Sequence, residues 1–97
     1  MKSALILIDI QNDYFPGGAM ELAGMNQAAA QAQELLAACR RDRRPIFHVQ
    51  HLALGPGAAF FRPESAGAEI HESVRPLPGE AVVRKHYPNA FSIRKIA

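Results

Sequence analysis

Apolar and polar positions along this chain follow more than one rhythm. Residues 4–8, Ala-Leu-Ile-Leu-Ile, are apolar without interruption. A strand buried on both faces reads this way, and such strands belong to parallel sheets covered by helices. Asp9 ends the apolar run, Gln11-Asn12-Asp13 is polar, and Pro16-Gly17-Gly18 marks a loop. Over residues 20–41 the rhythm changes to three and four, through Leu22, Met25, Ala28 or Ala29, Ala32, Leu35, Leu36 and Cys39. That spacing predicts an amphipathic helix rich in good helix formers. Asn26 is an alternative cap for a later start, and Pro45 forbids continuation. Residues 46–50, Ile-Phe-His-Val-Gln, predict a second strand, and residues 81–85 a third. The stretch 53–67 holds three glycines, two prolines and Phe60-Phe61, and reads as a long loop. Residues 68–74 predict a helical turn, Pro76, Pro78 and Gly79 another turn, and Tyr87-Pro88-Asn89 a turn after the third strand.

The order β-α-β-loop-β predicts an α/β fold with a parallel sheet, its first crossover supplied by the helix. Ligands of open parallel sheets bind beyond the carboxyl ends of the strands. Asp9 ends the first strand and Lys85 ends the third. Parallel strands would bring both charges to one edge of the sheet. Two readings of that pair stand side by side: an ion pair that closes the sheet end, or a functional pair.

Composition narrows the picture without deciding it. The 97 residues suffice for one domain, and 48% apolar with 21% charged residues is ordinary for a globular protein. Net charge is only +2, and the one basic cluster, Arg40, Arg41, Arg43 and Arg44, lacks interleaved aromatics. It reads as a solvated helix end that suits the macrodipole, not as a nucleic-acid patch. The single cysteine excludes an internal disulfide and fits a reducing compartment. The first apolar run is too short for a signal peptide or a membrane span, which needs ~20 apolar residues. The expectation is a cytoplasmic protein with no nucleic-acid or membrane partner.

The stretch "LILIDIQNDYFPGG", followed by "FFRPESAGAEIHESVRPLPGE" and "GEAVVRKHYPNAF", resembles the isochorismatase-like, or cysteine hydrolase, family from about residue 4 to Phe91. The Asp-x-Gln-Asn-Asp motif combined with a downstream lysine strand carries the resemblance. It implies a Rossmann-like, three-layer α/β/α fold and a catalytic triad of Asp, Lys and Cys. Asp9 matches the family's general base. Lys85 matches the lysine that balances the site's charge and favours the thiolate. In such a site a thiolate attacks a carbonyl carbon, and backbone N–H groups hold the oxyanion. Tyr14 matches an aromatic pocket position, while His51 at a strand end and Phe60 in the long loop are further candidate substrate-binding residues. The implied substrate is a small molecule with an amide bond, no cofactor is expected, and family members commonly form homo-oligomers.

The family's cysteine falls beyond Ala97, so residues 1–97 correspond to the N-terminal part of one domain. Cys39 lies on the apolar stripe of the helix and is expected in the core. The edge of residues 5–8 is expected to lack a partner strand, a template for association. His48-x-x-His51 raises a metal site, but strand residues three apart face opposite sides, so none is expected there. His71 and His86 read as surface positions. Two alternatives to amide hydrolysis remain: vinyl-ether cleavage of the isochorismate type, which needs no nucleophilic cysteine, and a non-catalytic remnant that associates through its open edge. A nucleotide-binding module is disfavoured, because the acidic Asp9-Ile10-Gln11-Asn12-Asp13 stretch would repel phosphate.

Overall fold

The computed structural model describes residues 3–86. Strand β1 spans Leu5–Ile8, helix α1 Met25–Arg41, strand β2 Ile46–His51 and strand β3 Ala81–Lys85. Short 3-10 turns occupy Asn12–Tyr14, Ala66–Ala68 and Glu72–Val74, so the helical turn expected over 68–74 is two separate ones. The sheet has the order β1-β2-β3 and both pairings are parallel. Leu5 lies opposite Ile46 and Ile8 opposite Val49, while His51 lies opposite Lys85. The Tyr87-Pro88-Asn89 turn expected after β3 lies outside the described residues.

Helix α1 begins five residues later than its apolar spacing predicts. Residues 20–23 are tied to the preceding loop instead: the Met20 N–H donates to the Asp13 carbonyl at 2.8 Å and the Leu22 N–H to the Tyr14 carbonyl at 2.9 Å. Gly24 then caps the helix with φ 79°, a left-handed conformation that suits glycine. The helix presents Ala29, Ala32, Leu36 and Cys39 to the sheet, where they meet or lie close to a core of Leu5, Leu7, Ile46 and Val74. Cys39 thus sits in the helix–sheet layer, as its position on the stripe predicts. Leu22 and Leu35 do not join this core; Leu35 is 52% exposed.

Residues 4–8 do not behave as a strand buried on both faces. Leu5 and Leu7 are buried under α1, while Ile6 and Ile8 are 57% and 48% exposed. Strand side chains alternate between faces, and the described residues place a helix on one face only. Phe47, which lies opposite Ile6 in the register, is also exposed. The sheet therefore carries a half-open apolar face.

The arginine cluster is not wholly a solvated helix end. Arg40 folds back onto Glu80, just before β3, with Nε donating to Oε2 at 2.7 Å and Nη2 to Oε1 at 2.8 Å. Glu80 also meets His48 Nε2 at 2.9 Å and accepts from the Leu77 N–H at 3.0 Å. These contacts pull the Glu80 carboxyl down to about 2, chiefly through the Arg40 hydrogen bonds. His71 is partly buried and stacks on Phe15 at 3.8 Å, unlike the surface position its sequence context predicts, whereas His86 is exposed.

Candidate active site

Strands β1 and β3 end where the sequence predicts, at Ile8 and Lys85, while β2 runs one residue further than expected, to His51. Asp9 follows β1 with φ 60°, a left-handed conformation uncommon for a residue other than glycine and typical of constrained sites. Lys85 is the last residue of β3 and its side chain is 1% exposed. Strands in a sheet lie ~4.8 Å apart, so β1 and β3 are separated by about 10 Å across β2. A long lysine side chain spans that gap: Lys85 Nζ lies 3.2 Å from Asp9 Oδ2. The other carboxylate oxygen, Asp9 Oδ1, is buried and has no hydrogen-bond partner among the described residues. A buried carboxylate oxygen without a donor is costly, of order 1–3 kcal/mol, and its presence at a charged strand end marks an acceptor position.

His51 ends β2 between these two groups. Burial pushes its imidazole below the ordinary histidine range, with Asp9 opposing and Lys85 reinforcing that effect. The Phe61 ring covers it edge-on at 5.4 Å. Tyr14 meets Phe61 at 4.7 Å and Phe60 at 6.5 Å. Burial and the nearby Asp9 charge raise the Tyr14 hydroxyl above its usual range. The candidate residues Asp9, Lys85, Tyr14, His51 and Phe60 thus gather around one end of the sheet. Cys39 does not join them; it lies in the last turns of α1, toward the opposite, N-terminal end of the strands.

His48 and His51 face opposite sides of β2, the first toward Glu80 and the second toward Phe61. Among the described residues no group of three or more His, Cys, Asp or Glu side chains converges as a metal site would require. Among the same residues no helix is long and apolar enough to cross a membrane.

Two residues of the Asp-x-Gln-Asn-Asp stretch have roles that composition and spacing did not single out. Gln11 is fully buried; its Oε1 accepts from the His51 N–H at 2.9 Å and its Nε2 donates to the His51 and Ala68 carbonyls at 2.8 and 2.7 Å. It fixes the end of β2 to the loop before β3. Asp13, also buried, reaches the loop that carries the aromatic residues. The visible signal was a polar run directly after an apolar strand, too hydrophilic for a core and too short for a linker.

The isochorismatase domain family matches residues 3–96. The chain is 54% identical over 91 residues to the isochorismatase family protein YddQ of Bacillus subtilis (strain 168), covering 94% of this chain and 51% of that protein. It is 34% identical over 90 residues to the secreted isochorismatase effector Isc1 of Verticillium dahliae, covering 93% of this chain and 46% of the effector. Among solved structures, an isochorismatase from Pseudomonas putida KT2440 superposes with a TM-score of 0.79 at 41% identity, covering 91% of this chain and 44% of that one. The chain thus spans about half the length of these relatives. Its parallel sheet, its helix and its matched residues place it in the isochorismatase domain family.

Proposed function

We propose that this chain carries the aspartate and lysine of a hydrolase that cleaves a small-molecule amide, with a cysteine outside residues 1–97 as nucleophile. The observation that supports it best is the asymmetric Asp9 carboxylate: Oδ2 faces Lys85 Nζ at 3.2 Å, and Oδ1 is buried without a donor. Such an oxygen is ready to take a proton. In the proposed reaction Asp9 takes the thiol proton, the thiolate sulfur bonds to the carbonyl carbon, and the C–N bond breaks as the proton passes to the leaving nitrogen. Water then cleaves the thioester and restores the thiol. Lys85 keeps the local charge balanced while the thiolate forms. Tyr14, Phe60 and His51 gather beside this pair, where a small substrate would meet them, and burial disfavours the charged form of His51, so that it would offer a hydrogen bond without a net charge.

The same reading includes association through β1. Among the described residues no strand lies beyond its outer edge, and Ile6, Ile8 and Phe47 are exposed beside it. A cytoplasmic location fits the single free Cys39.

The test is ammonia release from a panel of small primary amides. The 97-residue chain should be inactive alone and active once the complementary half of a relative such as YddQ supplies a cysteine. Asp9→Asn should abolish that turnover. Amide turnover that survives Asp9→Asn overturns the proposal. Turnover of a vinyl ether that resists thiol alkylation would assign the cysteine-free chemistry instead.

A further inference from the structure

The loop bearing Phe60 and Phe61 is tied down on both sides of the Phe61 backbone. Phe61 is fully buried although its φ is 55°, a left-handed conformation unfavourable for a residue with a side chain. Something must compensate for that cost. Its N–H donates to Asp13 Oδ2 at 2.7 Å, a short charge-assisted bond, and its carbonyl accepts from the Ala53 N–H at 2.8 Å. Asp13 Oδ1 accepts from the Ala19 N–H at 3.1 Å, so one carboxylate ties the loop after β1 to the loop after β2. Gly67 packs so closely on this carboxylate that a Cβ there would overlap it. From this anchored position the Phe61 ring contacts Tyr14, Phe60 and His51 at centroid distances of 4.7, 5.1 and 5.4 Å.

We propose that Asp13 is a positioning residue of this site: its carboxylate latches Phe61 in the left-handed conformation and so holds the Tyr14–Phe60–Phe61 wall over His51, beside Asp9 and Lys85. The latch rests on the functional reading above only for its consequence, which is a shaped substrate pocket. Its existence is testable without turnover. If the latch holds and no hydrolysis is ever found, the functional reading fails and the latch stands.

His51 reports on the wall. Asp9, Lys85, His86 and the Tyr14 hydroxyl are the charged and titratable groups on the elements packed around it. Removing the Asp13 charge by itself would make the imidazolium less stable and lower the His51 titration further. Releasing Phe61 lets water reach the ring and raises it. The two effects have opposite signs.

The experiment combines amide hydrogen exchange with an NMR titration of His51 on the chain, unmodified and as Asp13→Ala. In the unmodified chain the Phe61 amide should exchange slowly. In Asp13→Ala it should exchange about 10–100-fold faster, the loss expected for one bond to a charged group, while Val49 in β2 stays protected. The His51 titration should move up toward 6.5, and Asp13→Asn, which keeps one acceptor oxygen, should move it less. Gly67→Ala pushes a methyl into the carboxylate with its charge intact and should move His51 the same way. A Phe61 amide that exchanges no faster in Asp13→Ala than in the unmodified chain, or a His51 titration unmoved in Gly67→Ala, where the Asp13 charge is kept, overturns the latch. So does a Phe61 amide in the unmodified chain that exchanges as fast as that of exposed Arg62, which decides the matter even if the variants do not fold.

Discussion

Glu80→Gln is the sharpest perturbation of the scaffold. Glu80 accepts two hydrogen bonds from Arg40, one from the Leu77 N–H, and meets His48. Its side chain is 11% exposed and that of Arg40 is 29% exposed, so the pair is only partly screened by water. The contacts join the last turn of α1 to the start of β3, two elements forty residues apart. The Glu80 carboxyl falls from 4.5 to about 2, chiefly because Arg40 holds the charged form. At ~1.4 kcal/mol for each tenfold change in proton affinity, that corresponds to about 3 kcal/mol of stabilisation. The partial exposure of Arg40 lowers the expectation to about 2–3 kcal/mol. Glutamine keeps the shape but loses the charge and one acceptor, leaving the guanidinium poorly paired.

The pH dependence follows from the direction of the shift. A carboxyl depressed in the folded state binds protons more weakly there than in the unfolded chain. Its contribution is complete above pH 4.5 and is lost as the pH falls toward 2. Urea unfolding of both proteins at pH 7, 4 and 2.5 measures this. The gap should be about 2–3 kcal/mol at pH 7 and should shrink steadily below pH 4.5. A gap under about 0.5 kcal/mol at pH 7 would show that water screens the pair. A gap that stays constant down to pH 2.5 would show that shape, not charge, is what glutamine disturbs. Either result refutes the reasoning.

Four further outcomes are expected. Leu36→Ala empties the centre of the helix–sheet core, where Leu36 is 1% exposed, and should cost about 2–5 kcal/mol in urea unfolding. Ile6→Thr sits on the open face and should cost no more than about 1 kcal/mol; a core-sized loss would show that this face is covered in solution. Asp9→Asn should lower the Tyr14 titration, followed by tyrosinate absorbance, because the Asp9 charge helps to raise it; an unchanged titration would leave burial as the whole cause. Lys85→Met removes the cation facing Asp9 and should abolish hydrolysis in the completed enzyme while also lowering stability, read from turnover and urea midpoint together.

The three strands and their parallel sense were legible because apolar and β-branched stretches bounded by turn residues place them within one residue. Asp9 and Lys85 were legible because each stands at the carboxyl end of such a stretch and parallel pairing leaves them at one edge. The start of α1 was not, because Met20 and Leu22 keep the helical spacing yet spend their N–H groups on the Asp13 and Tyr14 carbonyls. Periodicity cannot show a competing hydrogen bond between loops. Arg40 was misread for a related reason: a basic residue near a helix end suits solvent, and only the fold brings Glu80 to it from forty residues away. Gln11 and Asp13 were visible as polar residues in a motif, but their partners at His51, Ala68 and Phe61 are long-range contacts that spacing does not encode.

The open face and the candidate site are linked through the strand pleat. Ile6, Ile8, Phe47 and Val83 point to the same side of the sheet as His51 and Lys85, because strand residues two apart share a face. Toward the carboxyl ends that side is closed by Phe61, which buries His51; toward the middle of β1 it is exposed. Leaving Ile6 and Ile8 half exposed forgoes part of the roughly 1.5–3 kcal/mol available from burying each such side chain. Whatever covers them gains that energy one residue away from Asp9, whose unpartnered oxygen is itself buried. Cover on this face therefore reaches the edge of the candidate site without needing to enter it. A partner that buries Ile8 should slow exchange of the β1 amides, and β1 amides that exchange at the same rate with and without that partner would show that the face stays open.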